Sequence, residues 1–345
     1  MNDLVTQENT GSLERIDLTD LTAERFETDD FDLHASLYRG IGARLMQLSE
    51  GVFRGQLVRV VSGKVAVQLS VCNQTVEQHI VADADSFVFC ICSDGAGAHA
   101  VFGHSAETPW VYVLPPRGET NAVLPAKFPL LIVTVNRETL QRSDSLLPEI
   151  TEWFEKLASD GETICSQALA GRFVSDALLK LRNDAGQRAQ QHLQTLDHLA
   201  VSNIANSLSL EWLKKGGFHV PRRSAALERF AKARRIVRQN PHNLAGNNQH
   251  AIFELGSKRS VEQAFAERVG MGPLSYARLV RLHNARKKLR DGTFDRESIG
   301  NIAAQEGFWE WSRFTSYYGK HFGELPSQTR EHATRLTGPH QALAG

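Results

Sequence analysis

Residues Ile299–Arg330 read IGNIAAQEGFWEWSRFTSYYGKHFGELPSQTR, and this stretch decides the architecture of the C-terminal part of the chain. Ile302 and Ala303 share one face of a first helix, and Gly307 breaks the pattern with a turn. The apolar positions of the next segment recur every four residues, at Phe314, Tyr318 and Phe322. Two helices around a short turn, the second with an apolar stripe and a polar opposite face, predict a helix-turn-helix.

A second, less clear unit of the same kind occurs about fifty residues earlier in the chain. Ser257 is a good N-cap, and Val261 and Phe265 repeat the four-residue spacing after it. Pro273 then begins a long helical pattern that joins this unit to the later one. We therefore expect an all-α double helix-turn-helix domain over residues 221–335.

Charge is divided unevenly along a chain whose totals cancel, at 39 Lys and Arg against 39 Asp and Glu. Residues 221–345 carry 21 basic against 11 acidic side chains, a balance of +10, and residues 1–220 carry 18 against 28, a balance of −10. This asymmetry indicates a nucleic-acid-binding domain joined to an acidic domain with another task. A solvated basic surface is the equal alternative from charge alone.

The N-terminal half has the pattern of strands. In KVAVQLSV (64–71) apolar residues alternate with Ala, Gln and Ser, as in a strand with one buried face. Similar runs continue to about Asn136, so we predict a cupin-like antiparallel β barrel or sandwich over residues 26–140. Residues 1–25 are expected to form a disordered arm.

Beyond Leu146 the apolar residues lie three and four apart, and no strand signal returns. Residues 141–220 are therefore expected to form a helical connector and dimerisation region, ending in a linker at about residues 214–221. The fold class predicted for the whole chain is α+β.

Length, leader and cysteine content limit the class of protein. A chain of 345 residues predicts at least two domains. The opening stretch is acidic and polar, and no apolar run approaches the ~20 residues that span a bilayer. The four cysteines form no Cys-x-x-Cys pair and are interpreted as reduced thiols. A cytoplasmic protein with no membrane partner is expected.

Several stretches together resemble the DNA-binding domain of the AraC/XylS family of bacterial transcription regulators. They are AIFELGSKRS (251–260), GMGPLSY (270–276), IAAQEGF (302–308) and FGELPS (322–327). GFWEWSRFTSYY (307–318) and RLHNARKKL (281–289) are similar to the branch of ethanolamine-operon activators, and GVFRGQLVRVVSG (51–63) is similar to the start of its sensing domain. The resemblance implies an operator in double-stranded DNA, a small-molecule effector, RNA polymerase as a partner and action as a monomer or a homodimer.

Two departures from the family pattern concern DNA contacts. NLAGNNQHA (243–251) replaces a usually apolar helix with weak helix formers, which puts base contact by the first unit in doubt. Ser316 stands where the family often has arginine.

Base-reading candidates lie on the predicted polar faces of the two recognition helices. They are Lys258, Arg259, Glu262 and Gln263 in the first unit, and Trp311, Ser312, Arg313 and Ser316 in the second. Trp309, beside the turn, is equally compatible with a core or staple position. The phosphate-contact candidates are Arg281, Arg286, Lys287, Lys288, Arg290 and Lys320. The recurring aromatics Phe265, Tyr276, Phe308, Phe314, Tyr318 and Phe322 are expected in the core.

The β region offers aromatic side chains for an effector pocket, with core filling as the even alternative. The candidates are Phe87, Phe89, Trp110 and Tyr112. His79, His99, His104, Cys90 and Cys92 do not match a metal-binding pattern, so no metal site is predicted.

Phosphate-loop, zincin and nucleophile-elbow motifs are absent, so neither a catalytic residue nor a cofactor is predicted. The sequence favours an effector-responsive, sequence-specific transcription regulator, an activator rather than a repressor. The alternatives are a small-molecule-binding protein or enzyme with a basic domain that localises it on nucleic acid, and a structural DNA-binding protein.

Overall fold

The computed structural model describes residues 24–61, 64–92, 110–157, 162–165, 169–174, 189–218, 225–242 and 250–337. The chain falls into two compact units. One lies within Met1–Leu45 and Arg54–Arg222, and the other within Met46–Phe53 and Arg223–Gly345. A short segment of the N-terminal half therefore belongs to the C-terminal unit.

The first unit contains two antiparallel sheets. Its strands are β1 (Glu24–Thr28), β2 (Ile41–Gln47), β3 (Gly55–Val61), β4 (Val65–Cys72), β5 (Val76–Ala82), β6 (Ser86–Cys92), β7 (Trp110–Leu114), β8 (Glu119–Leu124), β9 (Leu130–Asn136) and β10 (Glu162–Cys165). The larger sheet has the order β1-β3-β4-β9-β6-β7-β10, and the smaller has the order β2-β5-β8. The predicted N-terminal antiparallel β fold is confirmed.

Helices lie on both faces of the larger sheet. One face carries α1 (Phe31–Ser36), whose His34 bonds Ser70 of β4. The other face carries α2 (Arg137–Gln141), α3 (Pro148–Glu155), α4 (residues 169–174) and α5 (Ala189–Lys215), which all contribute to the cluster over β4 and β6. Leu69 of β4 and Phe89 of β6 pack there with Phe154 of α3 and Phe173 of α4. Burying these apolar side chains is the main stabilising contribution to the unit.

Two expectations for this unit need correction. The polar face of β4 is also buried: Gln68 and Ser70 lie beneath α1 and the residues after it, and the Gln68 amide bonds the backbone of Arg39. A strand also returns after Leu146, because β10 pairs with β7 at the sheet edge. Four residues are too few to give a readable alternation, so the sequence pattern missed it.

The second unit is helical. Its helices are α6 (Ala225–Gln239), α7 (His250–Phe253), α8 (Lys258–Val269), α9 (Pro273–Arg290), α10 (Ile299–Gln305), α11 (Trp311–Phe322) and α12 (Pro326–Thr337). Phe265 of α8 packs edge-on against Phe230 of α6 and Tyr276 of α9. In the described helices, none is long and apolar enough to cross a membrane.

Candidate nucleic-acid interface

The first helix-turn-helix consists of α7, a turn and α8. Ser257 caps α8 by accepting a hydrogen bond from the backbone N–H of Ser260 at 3.2 Å, as its sequence position predicts. Val261, Ala264 and Phe265 are buried along one face. The helix is therefore fixed to the domain by its apolar stripe, which leaves its other side exposed.

The second helix-turn-helix consists of α10 and α11. Ser298 caps α10 by accepting from the N–H of Asn301 at 3.0 Å. Gly307 adopts a φ of 74° in the turn, and a Cβ there would lie 2.8 Å from the guanidinium of Arg281. Arg281 in turn donates to the carbonyl of Gly307 at 3.3 Å. The backbone conformation favours glycine at this position, and an added Cβ would also oblige the Arg281 guanidinium to shift.

The recurring aromatics are core residues, as predicted. Phe314, Tyr318 and Phe322 are buried in a continuous stack along α11, with ring centroids 5.6 and 4.6 Å apart. Phe265 and Tyr276 are buried in the first unit. Phe308 is half-buried against Phe314.

All four base-reading candidates of α8 are exposed on the face opposite its apolar stripe. Lys258 lies 3.9 Å from Glu262 along the helix, and Gln263 donates to Glu267 at 2.8 Å. Exposed pairs of this kind contribute little stability. Their side chains can therefore exchange these contacts for others.

The candidates of α11, Trp311, Ser312, Arg313 and Ser316, are exposed as well. Arg313 lies 2.9 Å from Glu310, the residue before the helix. Trp311 is 51% exposed, and Trp309 is 84% exposed, so Trp309 is not a core residue. Its place in the turn leaves its indole facing solvent, which corrects the alternative that sequence reasoning left open.

The phosphate candidates fall into different environments. Lys287 and Lys320 are exposed, with Lys320 2.8 Å from Glu50, and Arg290 is half-buried. Lys288 lies 2.8 Å from the buried carboxylate of Glu306. These four side chains reach the surface.

Arg281 and Arg286 contribute inside the domain. Arg281 stacks over Phe308 and holds the turn, and burial followed by the charge of Arg278 lowers its pKa. Arg286 is buried, lies 3.5 Å from Glu324 and stacks over Phe322. Sequence spacing alone did not distinguish these arginines from their exposed neighbours on α9.

Three of the effector-pocket candidates, Phe87, Phe89 and Tyr112, do not line one cavity. Phe87 and Phe89 belong to the face of β6 beneath the helices, where Phe87 lies 4.4 Å from Phe154 between ring centroids. Tyr112 pairs in register with Cys90 and accepts a hydrogen bond from Thr120 at 3.2 Å. Because neighbouring residues alternate across a strand, Tyr112 lies on the opposite face from Phe87 and Phe89. Trp110 begins β7.

A buried polar cluster lies on that opposite face. The Tyr38 hydroxyl donates to Ser70 at 2.8 Å, and His34 bonds the same oxygen at 2.9 Å. The amide of Gln78, on β5 of the smaller sheet, faces the Tyr38 hydroxyl closely enough to affect its pKa, which burial raises. Gln78 is fully buried, yet neither amide atom makes a hydrogen bond of good geometry within the part of the chain described.

The thiols of this region are buried. Burial raises the pKa of Cys72 to about 12, and it raises the pKa of Cys90 further. Such thiols are protonated small hydrophobic groups. His79 contacts Asn121 and Glu119, while His99 and His104 lie outside the described residues. Among the residues described, no group of three metal-ligand side chains occurs.

Comparison with known proteins gives one domain match. Residues 256–332 match a helix-turn-helix domain family, and they cover both units from the turn of the first to α12. The XylDLEGF operon transcriptional activator 2 of Pseudomonas putida is 32% identical over 100 residues, which are 29% of this chain and 64% of that protein. Activator 1 of the same operon is 28% identical over 169 residues, which are 48% of this chain and 50% of that protein.

These two relatives are thus matched over about half to two thirds of their length. The ethanolamine-operon branch stays a prediction. The crystal structure of ToxT from Vibrio cholerae O395 aligns with 88% of this chain and all of that chain. Its sequence identity is 12% and its TM-score is 0.27, which is too low to indicate a shared fold.

Proposed function

We propose that this protein is a sequence-specific DNA-binding activator of transcription whose β unit senses a small molecule. The observation that carries the DNA-binding part is the pair of exposed polar faces on α8 and α11, each opposite a buried apolar stripe. Helices anchored in this way are suited to enter the major groove. The domain match and the similarity to activators of P. putida support the same function.

The linking helix sets the separation of the two units. Helix α9 has 18 residues, which correspond to a length of about 27 Å. This length is comparable with one turn of B-form DNA, roughly 34 Å. We therefore expect α8 and α11 to occupy successive major-groove segments on the same side of a duplex.

The chemistry of each face suggests which bases it reads. Arg259 and Arg313 can each bond both acceptors of a guanine, and Gln263 can pair with adenine. Glu262 can accept from the amino group of cytosine. Arg313 must exchange its contact with Glu310 for a base, so DNA binding is expected to break that ion pair.

Phosphate contacts are expected from the basic groups that reach the surface. Lys287 and Lys320 are the leading candidates, because Arg281 and Arg286 already bond groups within the domain. Each neutralised phosphate should add about 0.9 to the slope of log affinity against log salt concentration. Contacts with RNA polymerase and dimerisation through the helical connector are further proposals.

Genome-wide mapping of bound fragments tests the proposed DNA-binding function. The full chain should occupy discrete sites, and an Arg259→Ala/Arg313→Ala variant should lose them while keeping its fold. Salt-sensitive binding without sequence preference would favour a structural DNA-binding protein. Diffuse binding that the double variant does not change would contradict base reading by α8 and α11, and turnover by the full chain would favour an enzyme.

For the effector we propose a site between the two sheets, on the face that carries Tyr38, Ser70, Gln78 and Tyr112. A buried amide without a hydrogen bond of good geometry costs up to roughly 1–3 kcal/mol, so a ligand that bonds Gln78 would recover part of that free energy. The polar groups of this cluster are the Gln78 amide, the hydroxyls of Tyr38, Ser70 and Tyr112, and the imidazole of His34. Burial lowers the pKa of His34 to about 4, so this imidazole is neutral near pH 7. We therefore expect a neutral molecule with hydroxyl, carbonyl or amide groups.

Thermal stabilisation by a panel of neutral hydroxylated and amide metabolites tests this assignment. Compounds that stabilise the wild-type protein should fail to stabilise Gln78→Leu, which removes the amide and keeps the bulk. Gln56→Leu, at an exposed position of β3, is the control and should respond like the wild type. An unchanged response of Gln78→Leu would exclude the amide from the site.

A further inference from the structure

The end of β2 and the connection from β2 to β3 fold with the helical unit rather than with the other strands. This segment comprises Met46–Phe53, and we name these residues the clasp. Met46 and Gln47 of β2, and Leu48 and Phe53 of the connection, are all at most 5% exposed. A connection between strands is ordinarily solvated, so the burial of Leu48 and Phe53 indicates a docking site.

Two imidazoles hold one carbonyl of the clasp. The Nε2 atoms of His283 on α9 and His321 on α11 lie 2.9 and 3.2 Å from the carbonyl oxygen of Gln47. A carbonyl oxygen has two lone pairs, so it can accept from both rings. Burial lowers the pKa of His321 to about 4 and that of His283 well below 6.5, so both rings are neutral near pH 7.

The clasp also bonds the last turn of the second recognition helix. The final four carbonyls of an α-helix have no partner within the helix. The carbonyl of His321 is one of them, and it accepts from the backbone N–H of Gly51 at 3.0 Å and from the side-chain amide of Gln47 at 2.9 Å. The clasp therefore supplies hydrogen bonds that α11 cannot make for itself.

The Gln47 side chain also organises the clasp. Its Nε2 lies 2.8 Å from the carbonyl of Ser49 and 2.6 Å from that of Gly51, besides the carbonyl of His321. The two N–H bonds of the Gln47 amide are thus shared among three carbonyl oxygens. A side chain of similar shape that only accepts hydrogen bonds cannot replace this amide. An acidic side chain at this position would face three oxygens.

Shape complementarity extends the contact beyond α11. Gly323 ends the helix with a φ of 72°, and a Cβ at this position would lie 2.4 Å from the side chain of Val52. Arg238 of α6 donates to the sulfur of Met46 at 3.2 Å. The docking surface therefore includes groups from α6, α9 and α11.

We propose that the clasp is a docked segment of this chain that caps the second recognition helix and links its stability to the β unit. Chain connectivity supplies the link, because Met46 and Gln47 of the clasp are the last residues of β2, and β3 begins at Gly55, shortly after the clasp ends. A change in the strands on either side would alter the cap on α11, the helix that carries Trp311 and Arg313. The effect on DNA rests on the proposed function, whereas the cap itself does not.

Hydrogen exchange of the full-length protein without DNA tests the cap. In Gln47→Glu, amides in the last turns of α11 should exchange about ten-fold faster or more, while amides of α8 keep their rates. Gln56→Glu makes the same change at an exposed site and should leave both helices unchanged. Equal exchange in α11 of Gln47→Glu and Gln56→Glu would overturn the proposal.

A measurement on the unaltered protein covers the case in which Gln47→Glu fails to fold. The amide of Gly51 should be protected to the same degree as amides of α11, because its acceptor is the carbonyl of His321. Exchange of the Gly51 amide at the rate of an open loop would also overturn the proposal. If the Gly51 amide is protected but the protein does not bind DNA sequence-specifically, the cap on α11 stands and only the proposed DNA-binding function is refuted.

Discussion

Replacing Gly307 with alanine should destabilise the second helix-turn-helix by more than its backbone conformation alone requires. A non-glycine residue in the left-handed region costs about 1–2 kcal/mol. The added Cβ would also lie 2.8 Å from the Arg281 guanidinium and displace its hydrogen bond to Gly307, a bond to a charged donor worth about 1.5–3 kcal/mol. Since Arg281 can shift, we expect a total loss of about 2–4 kcal/mol.

Gly270 is a matched control, because it has nearly the same φ of 71° but no atom within 4 Å of an added Cβ, apart from its chain neighbours. Gly270→Ala should therefore cost only the conformational part, about 1–2 kcal/mol. Urea unfolding followed by far-ultraviolet circular dichroism measures both variants. Equal losses, or a larger loss for Gly270→Ala, would refute the role assigned to Arg281 in holding the turn.

Three further predictions follow from the helical unit. Folding lowers the pKa values of His283 and His321, so the unfolded state binds more protons than the folded state below about pH 6.5. The free energy of unfolding should therefore fall as the pH drops from about 6.5 toward 4. The expected slope is up to about 1.4 kcal/mol per pH unit for each histidine. Stability that stays flat between pH 6.5 and 5 in urea titrations would contradict these shifts. Lys287→Ala should reduce the salt slope of DNA affinity by about 0.9. Arg286→Ala should instead lower stability, by about 1–3 kcal/mol, because it removes a buried guanidinium that contacts Glu324 and Phe322. The opposite pattern in binding and unfolding assays would reverse their roles. Trp309→Ala should change stability by less than about 0.5 kcal/mol in urea unfolding, because the indole is exposed, and a large stability loss would place the indole in the core after all.

The helical unit was predictable because its signals are local. The four-residue spacing of Phe314, Tyr318 and Phe322, the cap at Ser257 and the turn at Gly307 each act within a few residues. Such signals fix helix type and the buried face together. Once the buried face of α8 or α11 is known, the polar face of that helix is the side opposite to it.

Features that depend on distant partners were not predictable in this way. The clasp is buried because His283 and His321, more than two hundred residues later, bond Gln47. Arg286 has the same sequence signal as Lys287 but points into the domain, a one-residue rotation of about 100° around α9. Position along a helix predicts a face only when the packing partners of that helix are known.

Three of the aromatic residues predicted to line an effector pocket lie on opposite faces of the larger sheet, and the sequence did not reveal this for a related reason. Both faces of the larger sheet are buried, so apolar character did not reveal which face of a strand meets the helices and which meets the polar cluster. Phe87 and Phe89 proved to pack beneath α3 and α4. Gln78 lies between Val76 and Ile80 on the same face of β5, and its burial became evident only from the structure.

The affinity of the full chain for a mapped DNA fragment, relative to a scrambled fragment of equal length, tests the central claim most directly. Arg259→Ala and Arg313→Ala should each weaken binding to the mapped fragment by about 1–3 kcal/mol and leave binding to the scrambled one nearly unchanged. Arg235→Ala removes an exposed charge from α6 and is the control. It should leave the ratio of the two affinities unchanged, whether or not it weakens binding to both fragments. Equal losses on the two fragments for Arg259→Ala and Arg313→Ala would show that α8 and α11 do not read bases.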